Sequence, residues 1–335
     1  MSDKIPYYGL AGIESAEERY GHKIHELARW FNVGDPDWDV GNAPHRVSPP
    51  AWLDAARCDR GGLVLRRHGI LASTVLRAYA LPLSYLSPVG IRPLTFTKEL
   101  LQNAGPRLYR TAQYVVETQQ AGAMHHDGPG WKTAATIRTI HQRVRLGLLA
   151  SDWPEEFGVP LPQADVAVTA MLFGPLTVKG MRALGAKITS KEADDVAHLS
   201  RVIAFGQGVV AELQTDTHDQ AIDLFERLTS LHGVADEDSR ALMEALLNIP
   251  YELAQMPVER ALAPILKSFY RSLSAGLLGE EKAGSLGIHS KGRVIRRLRF
   301  FTKHSPFFHR KFSPVHDRLI HRALSVGAAR VSRAE

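Results

Sequence analysis

Cysteine is almost missing from this chain: Cys58 is the single one in 335 residues. One thiol cannot build an internal disulfide, a thiolate zinc site or a cysteine-held iron–sulfur cluster. Any transition metal bound here must look to histidine, of which there are 15. Long apolar runs are also lacking; none approaches the roughly 18 residues of a spanning helix. The stretch from Met1 to Leu10 has no signal-peptide core, and the expectation is a cytoplasmic protein in a reducing compartment. The glycines form neither G-x-G-x-x-G nor a P-loop, so nucleotide chemistry has no support. Alternation with a period of two is absent, which excludes a sheet-based core.

What remains is helical periodicity on a globular composition, 44% apolar and 23% charged. The spacing predicts helices over Ser15 to Val33, Leu63 to Tyr79, Gly105 to Thr118, Trp131 to Leu149 and Gln163 to Phe173. Further ones are expected from a Ser190 cap to Leu213, and over Asp216 to Leu231, Asp236 to Leu247 and Val258 to Leu278. The Pro/Gly-rich stretches Gly34 to Pro50, Ser84 to Pro93 and Trp153 to Pro162, and the loop Met124 to Gly130, read as connections. The fold class is all-α.

Charge is unevenly placed. Residues 291–335 hold 12 Lys and Arg against 2 acidic residues, a net +10, so the preceding 290 carry −4 of the total +6. We therefore divide the chain into a helical domain, 1–290, and a basic aromatic extension, 291–335, containing Arg293, Arg296, Arg297, Arg299, Phe300, Phe301, Phe307, Phe308 and Phe312. A solvated helix face is the plain reading of this tail. Peripheral contact with an anionic membrane is the second. Nucleic-acid binding is set aside, because no recognised fold supports it. Oligomeric state has no signature in the sequence.

The most informative window is Arg138 to Arg145. On a helix, Ile137, His141, Val144 and Leu148 share one stripe, and Arg138 and Arg145 lie close to it. An imidazole on an apolar stripe is commonly a hydrogen-bonded core residue. The functional alternative is a ligand to the iron of haem b, with apolar walls for the macrocycle and guanidinium groups for the propionates. Upstream, Arg107, Arg110 and Thr111 share one helical face. They form either a solvated surface or a polar wall opposite His141, where arginine can donate to bound dioxygen and threonine can relay a proton.

The run Arg138-x-x-His141-x-x-x-Arg145 resembles the R-x-x-H-x-x-x-R signature of the rubber oxygenase (latex clearing protein) and mpaB oxygenase family. Gly34-Asp35-Pro36 is similar to that family's early turn. Arg107, Arg110 and Thr111, lying 34, 31 and 30 residues before His141, match its distal Arg, Lys and Thr. Pro162, Asp165, Thr169 and Phe173 resemble one family helix, and Glu192 to Arg201, with His198, the next. The resemblance runs from about Gly34 to Tyr251. It implies an all-α fold with a globin-like core and additional helices, haem b on a proximal histidine, and cleavage of isoprenoid carbon–carbon double bonds by dioxygen. Carried over, His141 is the metal ligand, Arg138 and Arg145 support the haem or its propionates, and Arg107, Arg110 and Thr111 are the catalytic distal wall.

Two departures follow. The family's distal lysine is Arg110 here; a guanidinium stays charged and is a very poor ligand, so the sixth iron position is expected to hold water or be open. The family's glutamate base falls on Ile91, which has no proton to exchange, and only Glu99 or Glu117 lies near enough to substitute.

Other candidates read more plainly. His125-His126-Asp127 reads as a surface loop rather than a metal site, because ligands must converge. His198 reads as a core or supporting residue and is the reserve iron ligand. Cys58 has arginine neighbours that would lower its pKa, but no partner histidine. The sequence thus points to a haem-dependent oxygenase acting on a hydrophobic, isoprenoid or lipid-like alkene. A non-catalytic haem sensor or carrier, and a helical interaction protein without cofactor, are the alternatives.

Overall fold

Short polar side chains open many of the helices. The computed structural model describes residues 7–37, 48–96, 104–254 and 256–304. Among them the regular elements are all helical: α1 (Tyr7–Tyr20), α2 (Ile24–Ala28), α3 (Ala55–Arg67), α4 (Gly69–Val75), α5 (Leu81–Ser84), α6 (Arg92–Phe96), α7 (Ala104–Gln119), α8 (Pro129–Leu149), α9 (Gln163–Met171), α10 (Thr177–Ala183), α11 (Ser190–Gly206), α12 (His218–Ser230), α13 (Glu237–Leu253), α14 (Pro257–Leu278), α15 (Glu280–Ser285) and α16 (Val294–His304). Asp54 caps α3 by accepting from the Arg57 N–H at 3.0 Å. Thr189 with Glu192, and Thr217 with Gln220, form reciprocal capping boxes at α11 and α12. Thr189 is therefore the cap and Ser190 the first helical residue.

The all-α fold expected from the sequence is the one observed. Several boundaries differ, for local reasons. The single helix expected over Ser15 to Val33 is α1 and α2, separated at Gly21, whose φ of 75° no helix accommodates. The helix expected to reach Leu213 stops at Gly206, because Gly208 turns left-handed with φ 82°. The sequence reading missed α10 altogether. It follows a π-helical turn, Leu172–Leu176, that absorbs Pro175 and lets the chain continue as a helix. A second π turn, Leu76–Ala80, continues α4 and packs against the first.

α11 is the hub of the core. Ala193, Val196, Ala197, Leu199, Val202 and Ile203 are buried on several of its faces, and it packs on α3, α8, α9, α12 and the Leu172–Leu176 turn. Each fully buried aliphatic side chain stabilises by about 1.5–3 kcal/mol. The approach of α3 depends on Gly61 and Gly62: a Cβ at the first would collide with the Asp195 carbonyl, and at the second with that of Gln119. α3 is thereby wedged between α11 and the end of α7. Arg57 and Arg60 seal the contact on the buried Asp195 carboxylate, at 3.3 and 2.8 Å.

Candidate functional site

α8 carries the window centred on His141. Pro129 occupies its first turn, where no N–H is needed. The Trp131 indole donates to the Met124 carbonyl at 3.0 Å. Thr133 donates to Glu117 at 2.9 Å, which ties α8 to α7 as a helical hairpin. Asp59 latches the connecting loop, accepting from the Gly122 N–H and lying 2.8 Å from His125 Nε2.

Along α8 the deepest stripe is not the apolar one expected. Trp131, Ala134, Arg138, Gln142, Arg145 and Leu148 are buried, while Ile137, His141 and Val144 are half-buried. The two arginines go under because folding supplies acceptors for them. Arg138 Nε and its terminal nitrogen meet the two oxygens of Asp35 at 2.5 and 2.6 Å, with both side chains almost sealed from solvent at 7% and 4% exposure. Arg145 donates to the Pro160 carbonyl at 2.9 Å, to the Leu161 carbonyl at 2.5 Å and to Gln142. Its burial lowers its pKa from the ordinary arginine value. Leu161 presents its carbonyl from a left-handed conformation, φ 52°. Gly34 lies against the Arg145 guanidinium, where a Cβ would come within 3.2 Å of Nε. The Gly34-Asp35-Pro36 turn thus receives Arg138 on Asp35 and leaves room for Arg145 at Gly34, while the acceptors of Arg145 come from Gln142 and residues 160–161. Their guanidinium groups engage protein acceptors, and the role this geometry gives them is to clamp α8 in place.

Between the clamps, His141 stands with Ile137, Ile140 and Val144 on a face of α8 that stays partly open, Ile140 being 44% exposed. α8 has no Asp or Glu of its own. One imidazole among aliphatic neighbours, with no carboxylate on its helix, is the donor chemistry of b-type haem rather than of a hard-metal site. The residues present fit that group.

α7, which packs on α8, carries the residues expected to form a wall opposite His141. Arg110 is exposed and Thr111 half-buried; Arg107 is on the helix, but its side chain lies outside the described residues. Thr111 is eight residues from the end of α7 and His141 twelve from the start of α8. At about 1.5 Å per residue they stand about 12 and 18 Å from the hairpin's closed end, so both sit well clear of the connection. Ile91 is a core residue at 1% exposure. Glu117 is engaged by Gln113 and Thr133, and Glu99 lies outside the described residues.

Three other histidines, His198, His125 and His126, have partners within the protein. His198 Nε2 accepts the Asp54 N–H at 3.1 Å, and its ring meets Trp52 edge-on. That lone pair is taken, so the residue does not serve as a reserve ligand. Burial, reinforced by Arg57, lowers its pKa to about 4. His125 and His126 lie in an exposed loop, paired with Asp59 and Asp127. The Cys58 expectation is reversed: burial, followed by Asp59, pushes the thiol up to about 12, because desolvation outweighs the neighbouring arginines.

A small apolar cavity of about 90 Å³ lies between α3, α4, α7 and α10, lined by Leu65, Leu76, Val115, Val116, Phe173 and Thr177 among others. Among the described residues its lining includes none from α8. It meets α7 on the Ala112–Val116 side, turned away from Arg110. Sequence reasoning missed this cavity, since its walls come from segments far apart in the chain, Leu76 and Phe173 of the two π turns among them. It also missed Asp35 as the Arg138 partner and Gln207, which donates to the buried Tyr114 hydroxyl at 2.7 Å. Only the Gly-Asp-Pro turn had a sequence signal.

Known proteins resemble this chain in sequence and fold. The family described as ER-bound oxygenase mpaB/B'/Rubber oxygenase, catalytic domain, matches residues 65–305. The rubber oxygenase of Streptomyces sp. (strain K30) is 25% identical over 258 residues, 76% of this chain. The match spans 61% of that relative's length. A solved structure of latex clearing protein LCP in the closed state superposes with a TM-score of 0.66 at 20% identity, covering 95% of this chain and 88% of that one, a likeness of fold. With 65–305 matched, most of its length, the chain belongs to the mpaB/rubber oxygenase catalytic-domain family.

Proposed function

We propose that the protein is a haem b-dependent oxygenase that oxidises or cleaves a carbon–carbon double bond of a hydrophobic, isoprenoid or lipid-like molecule with dioxygen. The observation that carries this reading is the His141 imidazole, set on a partly open aliphatic face between two buried arginine clamps. His141 would hold the group. Arg138 and Arg145 support it by fixing the height and rotation of α8. When bound, haem supplies the redox chemistry with dioxygen. Arg107, Arg110 and Thr111 of α7 would serve that chemistry: guanidinium groups donate hydrogen bonds and offset negative charge, and a threonine hydroxyl passes a proton.

The test is spectroscopic. Purified protein, or protein titrated with haemin, gains a Soret band that His141→Ala loses while its circular dichroism is unchanged. Full haem content and an unaltered spectrum in His141→Ala would end the assignment. Oxygen consumption on addition of a short isoprenoid alkene separates an oxygenase from a haem sensor or carrier, which takes up none. A protein that refuses haemin altogether is the cofactor-free interaction protein.

We also place the domain boundary near residue 290 and read the basic extension as a peripheral membrane contact of a cytoplasmic protein. α16 begins that extension and presents Arg296, Arg297, Arg299 and Phe300 outward. Val258, Leu262, Ile265 and Leu266 form an exposed aliphatic stripe on α14, the helix on which α16 packs. Among the described residues no helix is long and apolar enough to cross a membrane. Co-sedimentation with anionic but not neutral vesicles, lost when Arg296, Arg297 and Arg299 are all changed to Gln, checks this; equal binding to both vesicle types would refute it.

A further inference from the structure

A second group of metal-ligating side chains lies outside the site on α8, where α1 gives way to α2. Glu17 is in the last turn of α1, His22 in the connecting turn and His25 the second residue of α2. On one continuous helix, positions five and eight residues after Glu17 would point about 140° and 80° away from it. The left-handed residue Gly21, φ 75°, breaks the helix and swings both rings back. Glu17 Oε1 lies 3.0 Å from His22 Nδ1, and Oε2 lies 3.0 Å from His25 Nε2. The ring centroids are 4.7 Å apart, and one donor atom from each of the three residues falls within 4.8 Å of the others.

These separations suit a common centre. Donors each about 2.0–2.2 Å from one transition-metal ion stand about 3–3.6 Å from one another in tetrahedral geometry. Two imidazoles and one carboxylate are borderline ligands of the kind zinc and copper take, whereas calcium and magnesium require oxygens. The backbone beneath is fixed, because Ala16, Ile24 and Ala28 are buried on either side of the ligands. The ligands face outward, with side-chain exposures of 44%, 87% and 33% for Glu17, His22 and His25, which leaves the remaining coordination positions to water. The surrounding stretch also favours a cation: Glu14, Glu18 and Glu26 outnumber Arg19 and Lys23.

We propose that Glu17, His22 and His25 form a surface binding site for one divalent transition-metal ion of the zinc class, which clips the end of α1 to the start of α2. The site is independent of the haem reading and stands or falls without it. The experiment is calorimetric titration of the full chain, as purified with whatever haem it holds, with Zn²⁺ alone. One saturable site per chain is expected, weakened about tenfold or more by His25→Ala and by Glu17→Gln, each with unchanged circular dichroism. Zn²⁺ should raise the thermal midpoint of the parent and not of these variants. His125→Ala, which alters the other exposed histidine paired with a carboxylate on a different element, should leave the titration as it was. No saturable uptake by the parent, equal uptake by His25→Ala and Glu17→Gln, or loss on His125→Ala instead, overturns the proposal.

Discussion

Asp35 is where the architecture around His141 is most exposed to test. Its carboxylate and the Arg138 guanidinium make a two-pronged pair, with side chains 4% and 7% exposed. Replacing Asp35 by Ala strands a positive charge that folding has taken out of water. Breaking a buried pair from one side costs about 3–5 kcal/mol, a large share of the roughly 5–15 kcal/mol that holds a domain folded. Converting Arg138 to Met in the same chain removes the stranded charge and should return most of that loss, since a buried pair exchanged for apolar groups is close to neutral. Urea unfolding followed by circular dichroism should therefore rank the parent and the double variant together, with Asp35→Ala well below. Haemin titration adds the functional side: Asp35→Ala should bind more weakly although it removes no ligand, because α8 loses its tether. An Asp35→Ala cost below about 1 kcal/mol, the value of a solvent-exposed pair, or a double variant as unstable as the single one, refutes the clamp.

Two further outcomes follow from individual side chains. The His198 imidazole has a pKa of about 4 in the folded chain against about 6.5 when unfolded. The unfolded chain therefore takes up the proton first as pH falls, and stability declines below about pH 6.5, by about 2 kcal/mol at about pH 5. His198→Gln keeps an acceptor for the Asp54 N–H without titrating, and should flatten that part of the stability profile; an unchanged slope contradicts the assignment. A guanidinium is a very poor ligand to iron, so haem-loaded parent should show no spectral change from amine ligation by Arg110 on titration to about pH 10. Arg110→Lys should acquire a low-spin nitrogen-ligated form over that range, and its appearance in the parent would show that the sixth ligand comes from elsewhere.

Much of this was legible in the chain. The helices of α8, α12 and α14 follow from periodicity to within two residues at their starts, while the roles of Pro129, Thr217 and Pro257 there emerged with the structure. His141 stood out because it is framed by two arginines at helical spacing. The purpose of those arginines was not legible. Asp35 is 103 residues from Arg138, and the carbonyls that Arg145 reaches are backbone groups, which leave no mark on side-chain sequence. The Glu17, His22 and His25 grouping was hidden for a different reason: on a regular helix residues five and eight positions after Glu17 point away from it, and the grouping acquires sense only through the turn at Gly21. Cys58 misled because neighbours in sequence were weighed while burial, set by α3 against the rest of the core, was invisible.

The paired π turns have a consequence of their own. Each squeezes one surplus residue into its coil, so the side chains beyond it fall out of step with those before. Two such dislocations lie back to back, Leu76–Ala80 against Leu172–Leu176, and Leu76 and Phe173 look into the same hollow. The void thus has both irregular turns in its wall, where main-chain register bears on its shape as well as side-chain bulk. Swapping individual wall residues should reshape its contents yet leave it in being, whereas deleting a single residue from either coil should let the helices mesh and shut it.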